Sequence, residues 1–243
     1  MFINNRLGLV ETMETLLAQE QRMNQISNNL ANVDTTGYKK ENNTFWEILI
    51  SKNGNPERVG KGVKVITNHQ PGSAKATDSP LDLMINGDGY FKIQAPQGVR
   101  YTRAGNFSLN GQKQLVTSSG YLVLGEGGSI VLDGSKVAIG SDGTVNVDGR
   151  PVDRLAIVNF TDPESLTKEG QNFFRLKDAA IAEEVPEEFE VQQGFLETSN
   201  VNTISEMTAM MDLYRNYESQ QRVISVIDSM NGDAVSRLGR LAS

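Results

Sequence analysis

His69 is the only histidine in this chain and there is no cysteine. A Ser/His/Asp hydrolase would have to pass its proton through that one imidazole, a histidine-based metal centre would have to use it, and thiolate chemistry and disulfides are excluded. No serine stands in a Gly-x-Ser-x-Gly elbow. Gly87-Asp88-Gly89 and Gly125-Glu126-Gly127-Gly128 lack the Lys-Ser/Thr pair of a phosphate loop and do not lead into a helical pattern, so both read as hairpin turns. What remains is carboxylate pairs such as Asp82 with Asp88, and two carboxylates at the right separation suffice to cleave a glycosidic bond. Carboxylates in turns are ordinarily solvated, however, and the expectation is a chain that is not an enzyme, with no catalytic, cofactor-binding or metal-binding residue. His69 then reads as a surface or packing residue.

The charge balance removes further classes. The formal net charge is -7 and the pI is near 4.9, so a grip on nucleic-acid phosphates or anionic lipid would need a basic patch, and the longest basic run is Lys39-Lys40. No stretch approaches the ~18 apolar residues that span a bilayer. Neither nucleic acid nor membrane insertion is expected. The first residues lack the basic start and apolar run of a cleaved signal peptide, so a chain leaving the cytoplasm is expected to do so uncleaved.

The elements that would position any site fall into two textures. From Leu7 to Leu30, apolar residues at Leu9, Val10, Met13, Leu16, Leu17, Met23, Ile26 and Leu30 step mostly by three and four, the period of one helical face, over roughly 25 residues. Asn32 to Gly37 offers the turn conformations that stop it. Ile204, Met207, Met211, Tyr214, Ile224, Ile227, Met230, Leu238 and Leu241 repeat the pattern over about 38 residues. Between these ends the chain is Gly-punctuated, with short β-branched and aromatic runs such as Tyr90 to Ile93 and Thr144 to Val147, separated by Asp142-Gly143 and Asp148-Gly149.

The fold class expected is α+β: long N- and C-terminal helices forming a coiled-coil assembly domain, with an inserted all-β central domain. The expected divisions are 1–40, N-terminal helical assembly; 41–79, an extended connecting arm; 80–195, the β-rich domain; and 196–243, C-terminal helical assembly. A helical hairpin capping the β domain satisfies the same periodicity. The amides Asn24, Gln25, Asn28, Asn29 and Asn32 at the end of the first helix favour assembly, because buried amides specify register by demanding paired donors and acceptors.

The run Ser27-Asn28-Asn29-Leu30-Ala31-Asn32-Val33-Asp34-Thr35-Thr36-Gly37-Tyr38-Lys39 resembles the N-terminal signature of the bacterial flagellar rod and hook protein family. Two further stretches agree: Leu81 to Phe91 followed by Tyr101-Thr102-Arg103-Ala104-Gly105-Asn106-Phe107, and Gly194-Phe195-Leu196-Glu197-Thr198-Ser199-Asn200-Val201. The resemblance implies a structural subunit of the periplasm-crossing basal-body rod that transmits motor torque. It implies export through the flagellar type III apparatus and assembly with copies of itself and other rod and hook-family subunits. Asn28, Asn29, Leu30, Asn32, Gly37, Tyr38, Met211, Tyr214, Ile224, Ile227, Met230 and Leu238 are the residues expected to carry that assembly. The length and the Arg22-Met23-Asn24 lead are more similar to the family's proximal-rod members than to its distal-rod members. A secreted adhesin and a carbohydrate-cleaving enzyme are the weaker alternatives.

Overall fold

In the computed structural model, residues 2–52, 55–170, 172–178, 181–186 and 188–241 are described, and the side chains of 2–11, 45–63, 231 and 233–241 lie outside the description. One long helix stands at each end, α1 (Phe2–Ala31) and α2 (Thr203–Leu241). The turn residues from Asn32 onward end α1. Asn202 caps α2, its side-chain oxygen accepting the amide of Ser205 at 3.0 Å. After α1 come two long strands, β1 (Glu41–Lys52) and β2 (Asn55–Thr67), which among the described residues form a two-stranded sheet of their own.

By their contacts the residues form two units, one of 1–31, 41–66 and 202–243, the other of 32–40 and 67–201. The sequence had put its divisions at 40/41, 79/80 and 195/196.

The expected α+β class, with a coiled-coil assembly domain at the ends, is corrected by this structure. Among the described residues each end supplies a single helix, a two-stranded β-ribbon belongs to the same unit as the helices, and the remaining structure is mostly β. The physical reason lies in the side chains. A coiled coil buries a continuous apolar seam, whereas Met13 and Leu17 on α1 and Ile204, Met207, Met211 and Tyr214 on α2 are exposed even though α1 and α2 touch.

The second unit is built on a nine-stranded antiparallel sheet. At its centre Tyr90–Ala95 pairs with Gly98–Thr102, flanked on one side by Phe173–Leu176 and on the other by Leu122–Gly125. Side chains alternate across a strand, and both faces of this sheet are covered. Phe91 and Ile93 enter one core with Leu83, Ile85, Leu115 and Val191, while Tyr90 enters a second with Tyr101, Phe160 and Phe174. Consecutive Phe173 and Phe174 divide between the two in the same way.

A three-stranded sheet of Val137–Ile139, Thr144–Val147 and Arg150–Arg154 packs beside this; its last turn is Asp148-Gly149, with φ of 50° and 81°. That turn and the Gly125–Gly128 hairpin match the sequence expectation, but Gly87-Asp88-Gly89 does not. Leu83–Gly87 pairs instead with Phe189–Gln193, so the glycines join strands that are not partners. Phe195–Glu197 likewise pairs with Ala74–Ala76. The end of the second unit is thus zipped onto its beginning.

Candidate functional site

The densest polar chemistry in the second unit lies where three chain segments meet. Lys39 Nζ donates to Glu197 Oε1 at 2.6 Å, and both side chains are 0% exposed. Nζ also donates to the carbonyl of Gln70 at 2.7 Å, and the same Oε1 accepts the amide of Gly72 at 2.9 Å. Arg103 Nη1 lies 3.6 Å from Glu197 Oε2, an ion pair without a hydrogen bond, and among the described residues Oε2 and Arg103 Nε have no hydrogen-bond partner. Arg103 is held otherwise: it donates to the carbonyls of Ile85 and Gly87 at 3.2 and 2.9 Å and its guanidinium lies 5.1 Å from the centre of the Tyr90 ring.

Around this triad the segment 32–40 is docked through its backbone. The amide of Gly37 donates to the carbonyl of Glu197 at 2.8 Å, Asn172 Nδ2 donates to the carbonyl of Thr36 at 3.0 Å, and Lys168 Nζ donates to the carbonyl of Lys39 at 3.0 Å. Asn200 closes the other side, accepting the amide of Lys40 at 2.6 Å and donating to the carbonyls of Asn68 and Gln70, each at 2.9 Å.

Burial lowers the pKa of Lys39 from its ordinary 10.5, with the charge and hydrogen bond of Glu197 opposing that shift. The same burial, helped by the positive charges of Lys39, Arg103 and Lys168, takes His69 down to about 4. Tyr90 is pushed up to about 12, chiefly by burial. At neutral pH the phenol therefore keeps its proton and the imidazole is uncharged. The 2.6 Å contact between Tyr90 Oη and His69 Nδ1 is then a hydrogen bond between two neutral groups, its direction following from which ring nitrogen carries the proton. His69 is a packing residue of this junction, half-buried against Phe174.

Gly37 shows why this turn tolerates so little. Its φ is +65°, and a Cβ built on it would lie 2.4 Å from the amide nitrogen of Ala104 and 2.5 Å from the carbonyl carbon of Arg103. Backbone atoms cannot yield as a flexible side chain does. Gly37→Ala is expected to destabilise the second unit by about 2–3 kcal/mol, from left-handed backbone strain plus the clash. A denaturant midpoint unchanged from the parent would show that the loop moves aside at no cost.

In the first unit two of the amides, Gln25 and Asn29, are bonded within the chain. Asn29, fully buried, donates to the carbonyl of Glu41 at 2.9 Å and to Glu206 Oε2 at 3.2 Å, and accepts the amide of Glu41 at 3.1 Å. Gln25 Nε2 reaches the same carbonyl. One asparagine thus ties α1, the start of β1 and the first turn of α2.

The other residues singled out for assembly are distributed as follows. Asn28 is exposed, Leu30 and Asn32 are half-buried, and Gly37 and Tyr38 are buried in the junction, with Lys168 Nζ 3.5 Å from the centre of the Tyr38 ring. Met211, Tyr214 and Met230 are 55, 57 and 66% exposed, and Ile224 and Ile227 are half-buried. The side chain of Leu238 lies outside the described residues. Met13, Leu16, Leu17, Met23, Tyr214 and Tyr217 line an open apolar cleft of about 420 Å³ along α1 and α2.

Lys39, Arg103 and Glu197 were quoted within the sequence motifs but not singled out. The available signal was isolation: Arg103 and Glu197 each stand alone as a charge among neutral neighbours, in Tyr101 to Phe107 and Gly194 to Val201. Among the described residues no group of three or more histidines and carboxylates is placed to hold a metal ion, and no helix is long and apolar enough to cross a membrane.

The polar chemistry here closes the chain on itself, and the apolar surface lies open along two terminal helices; this is the architecture of a structural subunit. Three family models match in order along the chain. They are the flagella basal body rod protein over residues 12–39, the flagellar hook protein FlgE/F/G D1 domain over 84–147, and the flagellar basal body rod FlgEFG protein C-terminal over 192–237. The chain is 37% identical to the flagellar basal-body rod protein FlgG of Caulobacter vibrioides, over 88% of this chain and 93% of that protein. It is 33% identical to FlgG of Bacillus subtilis over 89 and 93%, and 31% identical to FlgF of Rhizobium meliloti over 96 and 98%.

The chain belongs to the flagellar basal-body rod protein family. It is a structural subunit of the rod, in the flagellar basal body. Lys39, Arg103 and Glu197 fall one in each of the three matched segments, so the junction joins the pieces that the family models recognise separately.

Proposed function

We propose that this subunit assembles with copies of itself and with other rod and hook-family subunits through the open face of its terminal helices, in the proximal part of the rod, where it transmits torque. The observation that carries this reading is the exposure of the apolar side chains of Met13, Leu17, Met207, Met211, Tyr214 and Met230, on helices that the family models match in part. Apolar side chains in such numbers on one unit mark a surface that is covered in the working state. The reading includes delivery by the flagellar type III export apparatus, no enzymatic activity, and no engagement of nucleic acid or of the membrane interior, which the net charge of -7 supports.

The turn at Gly111–Gln112 is exposed, and a Cβ on Gly111 would meet nothing within 4 Å, so an epitope inserted there leaves the fold intact. Gold-labelled antibody on isolated basal bodies is expected at the end of the rod nearest the cell body. Label confined to the far end would make the subunit distal, and absence of label from the whole rod would remove the reading.

A further inference from the structure

The order of the chain imposes a condition on how the second unit forms. Lys39 and Arg103 are both buried cations, and the carboxylate between them arrives at residue 197 of 243. The strand before it is equally late. Phe189–Gln193 covers Leu83–Gly87 in the register Ile85 to Val191, and both of those side chains belong to the larger core. Two backbone amides, of Gly37 and Gly72, also have their acceptors on Glu197.

Without residues 189 to 197 the unit would bury two positive charges against each other, leave those amides without acceptors and open one side of its core. An unpaired buried charge cancels much of what closure returns. We infer that Glu197 is a folding gate: closure of the second unit waits for this carboxylate to reach Lys39 and Arg103, so the unit stays open until residue 197 has been made. Such a gate suits the export proposed above, but it is a property of folding alone.

A gate acts on the transition state, whereas a late-forming contact acts only on unfolding. The measurement is stopped-flow refolding and unfolding of the full chain, with pulse-labelled hydrogen exchange at the amides of Ile85 and Val191 to read the second unit. Glu197→Gln is expected to slow folding at least about tenfold while changing the unfolding rate less than about threefold. If that variant does not fold, Glu197→Asp, which keeps the charge and withdraws it by one methylene, is read in the same way.

The triple variant Lys39→Met, Arg103→Met, Glu197→Met removes the charges that must be matched. It is expected to fold faster than the parent, as apolar replacement of a buried ionic triad does elsewhere. Folding of the carboxylate variant within about twofold of the parent, with faster unfolding, overturns the gate. So does a triple variant that folds no faster than the parent.

Discussion

Lys39→Met is expected to lower the stability of the second unit by about 3–5 kcal/mol, the range measured when one partner of a buried ion pair is removed. Domains of this kind have only about 5–15 kcal/mol in total. The size of the effect follows from burial. Glu197 keeps the amide of Gly72 on Oε1 but loses its only direct charge-assisted donor, and Arg103 lies 3.6 Å from Oε2 without a hydrogen bond to take over. The carbonyl of Gln70 loses a donor at the same time.

Chemical denaturation of the parent, Lys39→Met, Glu197→Gln and the double variant separates the pair from its surroundings. The double variant is expected to cost clearly less than the two single variants added together, because it leaves no unmatched carboxylate. Additive losses, or a Lys39→Met loss below about 1 kcal/mol, a value typical of exposed ion pairs, would show that the pair is not the fastening described here.

Met211→Asp is expected to abolish swimming while leaving the subunit folded and secreted. Met211 is 55% exposed in the single chain, so a carboxylate there stays hydrated and costs the monomer little. Covered by a neighbouring subunit, the same carboxylate loses its water and must be paid for by several kcal/mol or by protonation. The fault recurs in every copy. Ile227→Asp is expected to share the outcome but to disturb the free subunit more, because Ile227 is already half-buried.

The control is Asp148→Asn. Asp148 sits at φ 50° and accepts the amides of Ser135 and Lys136; asparagine tolerates that conformation and keeps an acceptor oxygen, so motility should be unchanged. Swimming by Met211→Asp, or a motility defect confined to Asp148→Asn, would move the defining contacts from the helices to the β unit.

How much of this was legible in the sequence depended on range. Asp148-Gly149 announces its turn because the conformational demand is met by the two residues themselves. The terminal helices were readable from a period of three and four, yet the coiled coil expected of them was not there to read. Periodicity shows which side chains share a face and is silent on whether another helix covers it; here Met211, Tyr214 and Met230 are uncovered.

Gly87-Asp88-Gly89 misled for a related reason. Its residues suit a hairpin, but the true partner of Leu83–Gly87 lies at Phe189–Gln193, and nothing local encodes a pairing across that distance. The amides near the end of α1 were read as setting the register between subunits; Asn29 and Gln25 bond to the start of β1, and Asn29 also to α2, in their own chain. Lys39, Arg103 and Glu197 were hardest, because the attraction among them exists only after the backbone has brought the three segments together.

The outer strand Arg150–Arg154 of the small sheet reads Arg-Pro-Val-Asp-Arg, and it carries the extra residue of a register shift, Val152, opposite Val145 and Asn146. Proline offers no amide to an incoming strand, the charged side chains resist a dry contact, and the irregularity bends the edge away from the flat template that stacking requires. For a protein whose work is to polymerise, this edge is a safeguard. It is a poor template for amyloid-like stacking between crowded copies.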